Sequence, residues 1–521
     1  MSRRTTRRQF LRVAALGAGG ALIGGRARPA FAASAPAVGA APAKPIVVVQ
    51  TAWPQSLDPS MDTNANAGNL YLHMLETPAV YKYDAAQKVM KLEPLLCERW
   101  ESKAPDRWRF YLRPGLKFSN GEEINSDVAK FSIETIKGNK GMAAPFMAHI
   151  KEVVPVDKLS FDIVTEGAYA ATPASTAFFF FLPPKYYVES GGKARFGRQP
   201  IGSGPYRFVD WQEGVHIKFE VNPTYWGPKP QIPALTFRAQ PETATRVALL
   251  ETGEADLIIG VSPELISRIQ RTADVRTVRA LRRVYCFFNC FVPPTDNPLV
   301  RKAINYAIDV DSIVKNVLGG HAYPAKGINK PGYIGDAPEK LVGYKYDPEQ
   351  AKKLLAQAGY PNGIDLDYNH PIGRWLNDKD VATAIVGMAA KVGIRFNQKG
   401  GEFNTVSSLY TTQKATGMNM WSVGPLWLDP SYEWQVPFWS KGLYKYSYND
   451  KMDGLLDRLR HEVDPAKRVP IAQEFEKYVV DEYCPWLFLY DEEHIYGVNK
   501  KLQWNPTPYE RMYLQFATMT A

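Results

Sequence analysis

Strand-like and helix-like segments alternate between Asp347 and Gln398, and this alternation restricts the fold more than any other feature. Asp347 is a favourable helix cap, Pro348 suits the first turn, and Gly359 suits the position after the last turn. The segments are a helix at 347–359, a strand at 365–368, a helix at 380–391 and a strand at 394–398. Because strands and helices that alternate in this way pack as layers, the sequence predicts an α/β fold.

The net positive charge of the chain is concentrated at its N-terminus. The 521 residues include 63 Lys and Arg against 53 Asp and Glu, an excess of ten. Seven arginines and no acidic residue lie in residues 1–32, so the remainder carries 56 basic against 53 acidic residues. Since a balanced body has no net attraction for a polyanion, the sequence predicts no nucleic-acid partner.

Residues 1–32 have the layout of a cleaved export signal. A charged start precedes an apolar stretch at 13–23 and a small-residue site at 30–32. The stretch is far shorter than the ~20 residues that span a bilayer, so we do not expect a membrane anchor. The segment 6–12, Thr-Arg-Arg-Gln-Phe-Leu-Arg, resembles the twin-arginine export motif. An Arg-rich arm that binds acidic partners is the alternative, but such an arm needs neither the apolar stretch nor the cut site.

The cysteines give two further expectations. The first of them, Cys97, is far from the cut site, so we expect a soluble protein of the periplasm that carries no lipid. Cys286 and Cys290 lie in a strand-like segment, where they would be ~13 Å apart and unable to bond. Buried free thiols are therefore favoured, while a disulfide that involves Cys97 or Cys484 stays open.

The twin-arginine route exports folded chains, often with a cofactor already bound, so a cofactor enzyme is the first alternative function. The seven histidines are scattered, and none has the helical spacing to another histidine, or to a cysteine pair, that metals require. A nucleophile elbow is also absent from the sequence. The sequence therefore predicts no metal, no cofactor and no enzymatic activity.

Several stretches together resemble the large extracytoplasmic solute-binding proteins of peptide-type ABC importers, a family with dipeptide-, oligopeptide- and nickel-binding members. The stretches are 95–100, 110–121, 200–206 with 222–226, 300–309 and 351–361. This resemblance implies a two-lobed, type II periplasmic-binding-protein fold with an extra subdomain in lobe one. Two apolar strands, 285–291 and 486–490, are best placed to form the hinge.

The resemblance also implies a domain organisation and a mechanism. We expect a signal peptide at 1–32, a disordered tail at 33–45, lobe one at 46–284 with an inserted subdomain at about 65–195, lobe two at 285–486, and a return to lobe one at 487–521. A solute that contacts both lobes favours their closed state, which an ABC permease and its ATPase then recognise. The chain is expected to be a monomer.

In peptide-binding members of the family, a Trp lies three residues before an Asp that pairs with the amino group of the ligand. Trp421 keeps the Trp, but Gly424 stands at the Asp position. An unpaired buried ammonium is costly, so this departure puts ordinary peptides in doubt. Asp429 is a substitute by sequence, although it precedes Pro430 and is equally suited to a turn.

Arg374 falls where the dipeptide-binding branch has an Arg that pairs with a carboxylate, and a surface Arg is its alternative reading. Further candidates are Trp375, Phe403 and Trp427 as aromatic walls, with Thr63 and Asn64 from lobe one. The predicted ligand is a peptide, an opine-like conjugate or an oligosaccharide. Two other functions stay open: a ligand-sensing domain for a receptor or chaperone, and a hydrolase exported by the twin-arginine route.

Overall fold

The computed structural model describes residues 44–425 and 427–520. The predicted signal peptide, 1–32, and most of the predicted tail, 33–45, lie outside the described residues.

The strands are β1 (Ile46–Gln50), β2 (Ala79–Asp84), β3 (Val89–Pro94), β4 (Cys97–Ala104), β5 (Arg107–Leu112), β6 (Ile150–Asp157), β7 (Ser160–Thr165), β8 (Tyr206–Gln212), β9 (His216–Val221), β10 (Ala234–Ala239), β11 (Leu257–Ile258), β12 (Asp274–Phe288), β13 (Ala322–Pro324), β14 (Ile364–Pro371), β15 (Ile394–Gly401), β16 (Met418–Val423), β17 (Trp486–Val498), β18 (Leu502–Gln503) and β19 (Thr518–Met519).

The α-helices are α1 (Ala65–Met74), α2 (Ser126–Gly138), α3 (Thr172–Ser175), α4 (Pro184–Glu189), α5 (Lys193–Phe196), α6 (Thr243–Glu251), α7 (Ile266–Ile269), α8 (Pro298–Ala307), α9 (Val310–Asn316), α10 (Pro348–Gln357), α11 (Asp378–Ala390), α12 (Phe403–Thr411), α13 (Pro430–Phe438), α14 (Asp450–His461) and α15 (Pro465–Lys477).

One large sheet runs through the molecule in the order β15-β14-β16-β12-β17-β11-β1-β10-β9-β8, with β13 paired to β17. The two long strands β12 and β17 lie at its centre and pair antiparallel along most of their length. These strands contain the two segments on which the sequence places the hinge. We call the part built on β14, β15 and β16 lobe two, and the part built on β1 and β8–β11 lobe one.

Lobe two is a sheet covered on both faces, as the alternating sequence pattern predicts. Along β12, Val284 and Cys286 face the helices α8–α11, whereas Tyr285 and Phe287 face the helices α12–α15. Successive side chains of a strand point to opposite faces, so an apolar run of this kind fills two cores at once. The predicted α/β class is confirmed.

Lobe one joins its part of the large sheet to a smaller antiparallel sheet with the order β4-β5-β7-β6. A single core of buried side chains spans both sheets, from Val48 on β1 to Phe110 on β5. The last segment of the chain returns to this core, where Trp504 and Leu514 are buried. The helix α1 packs in the same core and ends close to the strand β8.

Polar side chains cap the first turns of several helices. Asn125 caps α2 and Asp347 caps α10, each through its side-chain oxygen. Asp464 likewise caps α15, which begins at Pro465 and contains Pro470. The predicted strand 285–291 ends at Phe288.

The four cysteines are buried and free, as the sequence favours. In the described part of the chain, no helix combines the length and the apolar character needed to cross a membrane.

Candidate functional site

The candidate site lies where three parallel strands of lobe two end. β14 pairs in parallel with both β15 and β16, so the carboxyl ends of these strands meet at one edge of the sheet. Ligands of open α/β sheets bind at such an edge, in the loops that follow the strands. Most of the predicted site residues lie at or just beyond these strand ends. Trp421 is near the end of β16, Phe403 begins α12, and the loops after β14 and β16 carry Arg374, Trp375, Trp427 and Asp429.

The structure brings three of the predicted aromatic residues into one cluster. Trp421 stacks on Phe403 with ring centroids 5.5 Å apart, and the edge of Trp375 meets Trp421 at 6.3 Å. Trp421 and Phe403 are half-buried, whereas Trp375 is buried. Behind Trp421, the rings of Tyr410 and Tyr444 lie at 4.9 Å and 5.9 Å. We call Trp375, Phe403 and Trp421 the aromatic wall.

Arg374 projects beside this wall from a rigid loop. The buried carboxylate of Asp378 accepts hydrogen bonds from the backbone N–H groups of Gly373, Arg374 and Trp375 at 2.7–3.0 Å. Arg374 is an exposed residue, and its guanidinium carbon lies 5.0 Å from the ring centroid of Phe403. It makes no ion pair with any described residue.

The surroundings of Arg374 perturb but do not neutralise its charge. Desolvation by neighbouring protein and the proximity of Arg282 lower its pKa, while Glu492 and Glu510 oppose this change. A guanidinium stays protonated in proteins, so Arg374 offers an unpaired, forked cation to a carboxylate or a phosphate.

Trp427 lies elsewhere, in a cluster that joins the lobes. It stacks on Tyr432 at 3.7 Å, and His149 and Tyr169 from lobe one pack on it at 4.9 Å and 6.1 Å. The hydroxyl of Tyr81 donates a hydrogen bond to its carbonyl. Trp427 therefore stabilises contact between the lobes and is separate from the aromatic wall.

Asp429 has two structural partners. Its carboxylate accepts a hydrogen bond from the N–H of Ser431 at 2.9 Å and so caps α13. Both of its oxygens are also bound by the guanidinium of Arg468, each at 2.7 Å, in a buried pair. Burial by itself raises the pKa of Asp429, but Arg468 and Ser431 outweigh it and lower the pKa. The carboxylate is therefore already compensated.

Thr63 and Asn64 lie at the start of α1 in lobe one. Asn64 caps this helix by accepting a hydrogen bond from the N–H of Ala67 at 2.9 Å. Its described hydrogen bonds are all made within lobe one. The part of these two residues in ligand binding stays a prediction.

Sequence reasoning missed the cation that faces Gly424. A Cβ atom at residue 424 would lie 3.0 Å from Nη2 of Arg282 and 3.2 Å from its Cζ. Arg282, on β12, donates two hydrogen bonds of 3.1 Å to the carboxylate of Glu510 and one of 3.2 Å to Ser422. In peptide-binding members, as the family resemblance implies, this position carries the amine-binding carboxylate. Here it is Gly424, which has no side chain, and the guanidinium of Arg282 lies beside it.

Glu510 is the centre of a charged cluster at the hinge. Nε2 of His494 lies 3.8 Å from Glu510, and a carboxylate oxygen of Glu492 lies 3.5 Å from Nε of Arg282. Burial alone raises the pKa of Glu510, yet Arg282 and His494 together lower it to about 2. Burial raises the pKa of Glu492 despite the opposing effect of Arg282. Only the opposite charges on the hinge segments, basic on β12 and acidic on β17, hinted at this cluster in the sequence.

Among the described residues, no group of His, Cys, Asp and Glu side chains is arranged to hold a metal ion. The site combines a flat aromatic wall, a guanidinium without an ion pair among the described residues, and paired charges beside β12. Groups of these types line concave sites that take small polar solutes.

The family model for bacterial extracellular solute-binding proteins, family 5 (middle), matches residues 91–442. The chain belongs to this family. Family 5 membership confirms the predicted role of the chain as the substrate-binding component of an ABC transporter.

The relatives of this family 5 protein agree in sequence and in fold. The glutathione-binding protein GsiB of Pectobacterium atrosepticum is 28% identical over 440 residues, which cover 80% of this chain and 83% of GsiB. HbpA2 from Haemophilus parasuis has a TM-score of 0.80 at 22% identity, covering 91% of this chain and 100% of HbpA2. AgaA of A. tumefaciens R10, solved in complex with agropinic acid, has a TM-score of 0.76 at 23% identity. The match covers 91% of this chain and 99% of AgaA. These structures confirm the two-lobed type II fold.

Proposed function

We propose that this protein binds a small solute with an anionic group, a carboxylate or a phosphate, between its two lobes. In this proposal it acts as a monomer in the periplasm and presents the solute to an ABC permease and its ATPase. The observation that carries the proposal is the free guanidinium of Arg374 beside the aromatic wall. Arg374 binds the anionic group, and the wall packs on the body of the solute.

The lobe-two residues support this choice of charge. A guanidinium donates two parallel hydrogen bonds to a carboxylate or phosphate, which fixes the orientation of the group as well as its charge. An ammonium group placed next to Gly424 would face Arg282, and two like charges at close range repel. An uncharged oligosaccharide would leave Arg374 without a counter-charge.

The relatives are consistent with an anionic solute. Glutathione, named for GsiB, carries two carboxylates, and agropinic acid, bound in AgaA, is an acid. Both compounds fall within the peptide and opine-like classes that the sequence favours. They are the first solutes to test.

The experiment that tests the proposal compares Arg374→Ala with Arg395→Ala. Arg395 is an exposed arginine of lobe two that pairs with Asp365, away from the site, and serves as the matched control. Native mass spectrometry of protein purified from its own host identifies a retained solute, and calorimetry then measures its affinity. We expect Arg374→Ala to lose most of the affinity and Arg395→Ala to retain it. Equal affinity in the two variants, or turnover of the solute, rejects the proposal.

Export by the twin-arginine route is a separate part of the proposal, because residues 1–32 lie outside the described structure. Replacing both Arg7 and Arg8 with Lys keeps the charge but removes the motif. We expect this variant to accumulate in the cytoplasm with its first 32 residues still attached. Unchanged export rejects this route while leaving the binding proposal intact.

A further inference from the structure

A small core of buried side chains joins the two lobes and is separate from the cores inside them. The ring of Trp427 lies in it and is 1% exposed. This ring packs on Tyr432 of its own lobe at 3.7 Å and on Tyr169 of lobe one at 6.1 Å. We call the group the interlobe core; lobe two supplies Trp427 and Tyr432, and lobe one supplies Tyr81, Tyr169, Ala171, Ala174 and Tyr509.

Two hydrogen bonds cross between the lobes beside this core. The hydroxyl of Tyr81 donates to the carbonyl of Trp427. The N–H of Ala170 donates to the carbonyl of Arg460 at 2.8 Å, which joins the loop after β7 to the C-terminal end of α14. The guanidinium carbon of Arg460 also lies 5.3 Å from the ring centroid of Tyr169. The contact between the lobes therefore combines apolar packing with directional bonds.

The interlobe core does not depend on a solute. It shares no residue with the aromatic wall and does not include Arg374. The protein supplies the groups on both sides of the contact. A solute favours the closed state only through its own contacts with the two lobes, whereas these protein contacts favour closure whether or not a solute is bound.

The interlobe core is also small enough to open. It has seven buried members, whereas the core of lobe one extends from β1 to the C-terminal segment. Small interfaces within a chain permit relative motion of the parts that they join. Nε1 of Trp427 is buried and has no acceptor among the described residues, so closure carries a cost that opening into water removes. Opening at this contact therefore requires neither lobe to unfold.

We infer that the interlobe core is a latch, which holds the lobes closed in the absence of solute and separates when they open. Solute binding then adds to a closed state that the chain already favours, and solute release requires the latch to open. The inference concerns the closing step of the proposed function and assigns Trp427 and Tyr81 to the positioning of the lobes.

Thiol labelling tests the latch without a solute. Ala171→Cys places a thiol in the interlobe core, Ala129→Cys places one in the core of lobe one, and Ala85→Cys places one in the exposed turn after β2. The four native cysteines are buried, so a thiol-reactive dye added to the purified chain reports the introduced thiol. Because a latch opens without unfolding lobe one, we expect labelling at 171 to be roughly tenfold or more faster than at 129 and much slower than at 85.

Two outcomes of this labelling overturn the inference. Equal rates at 171 and 129 would mean that the contact is a permanent part of the fold. Equal rates at 171 and 85 would mean that the lobes stand open without solute.

Tyrosine variants then assign the latch to its hydrogen bond. Tyr81→Phe removes the donor to Trp427 but keeps the ring. Tyr83→Phe on the same strand is the matched control, since the hydroxyl of Tyr83 makes no hydrogen bond with a described residue. In the Ala171→Cys chain we expect Tyr81→Phe to speed labelling roughly two- to tenfold, the change in equilibrium that one net hydrogen bond gives. Tyr83→Phe should leave the rate unchanged.

Equal labelling rates in the two tyrosine variants also overturn the inference. These measurements use no solute, so their failure leaves anion binding at Arg374 intact. Failure of the Arg374→Ala experiment would reject the proposed function and leave the latch in place.

Discussion

The guanidinium of Arg282 lies against Gly424, with Nη2 only 3.0 Å from the position that a Cβ atom of residue 424 would occupy. This contact joins the central strand β12 to the end of β16, at the edge where the aromatic wall begins. The charge at this place is therefore positive, whereas the family resemblance implies the negative charge of a carboxylate. The position that carries a carboxylate in peptide-binding members here adjoins a cation.

Gly424→Asp would place a carboxylate next to Arg282. We expect it to weaken binding of an anionic solute about tenfold, ~1.4 kcal/mol, because it adds a negative charge to the site and competes with Glu510 for Arg282. The neighbouring atoms belong to the end of a flexible side chain, so the new Cβ is tolerated by a small shift. Calorimetry measures the effect.

The control for this substitution is Gly424→Asn, which has nearly the same size and no charge. It should retain most of the affinity. An equal loss of affinity in both variants would mean that the size of residue 424, and not its charge, affects solute binding.

Trp421 should report ligand binding by fluorescence. The ring is half-buried at the start of the site, and a bound solute encloses it further, which produces a blue shift or a quench. In Trp421→Phe we expect most of this change to disappear. Trp211→Phe, a substitution on β8 in lobe one, should leave it in place. A full signal in Trp421→Phe would place the solute away from the aromatic wall.

Asp429 should matter for stability. Asp429→Ala leaves the buried guanidinium of Arg468 without its counter-charge and α13 without its cap, so we expect a loss of ~3–5 kcal/mol in the free energy of unfolding. Urea unfolding measures it. Asp365→Ala breaks an exposed ion pair with Arg395 and should change stability little. A stable Asp429→Ala variant with lost affinity would instead make Asp429 a ligand-binding residue.

Glu76 should make stability depend on pH. Burial raises its pKa to about 7, although hydrogen bonds from Trp226 at 2.9 Å and 3.1 Å oppose the rise. In the unfolded chain the pKa is ~4.3. Between these values the folded chain keeps a proton that the unfolded chain has released, so stability falls as pH rises from about 4 to about 7.

Glu76→Gln removes this proton linkage. The free energy of unfolding of the variant should therefore fall less from pH ~5 to pH ~8 than that of the unsubstituted chain. Urea midpoints at the two pH values measure this difference. Burial also raises the pKa of Glu476 to about 7, so part of the slope should remain. Glu134→Gln, on the exposed face of α2, should not alter the slope. An unchanged slope in Glu76→Gln would show that Glu76 is ionised throughout.

The fold was predictable where the signals are local. Asn125, Asp347 and Asp464 start helices through hydrogen bonds to N–H groups two or three residues away, so the sequence contains both partners. The C-terminal end of β12 was less predictable. It falls at Phe288 because β12 pairs with β16 and β17, which are far away in the chain.

The candidate site was predictable in part. Trp375, Phe403 and Trp421 meet because parallel strands bring their carboxyl ends together, a consequence of the α/β class itself. The predicted Trp427 and Asp429 lie in the following loop, yet one joins the lobes and the other pairs with Arg468. Nothing local to either residue distinguishes these roles from ligand binding.

Local sequence patterns were enough to predict the α/β class, the family and the aromatic and cationic residue types at the ends of the lobe-two strands. Which charges find a partner depends on the folded arrangement of the chain. Arg282 and Glu510 are 228 residues apart, and Arg468 and Asp429 are 39 apart. Electrostatic pairing depends on distance in space, so a sequence that names every charge still leaves open which of them a ligand must satisfy.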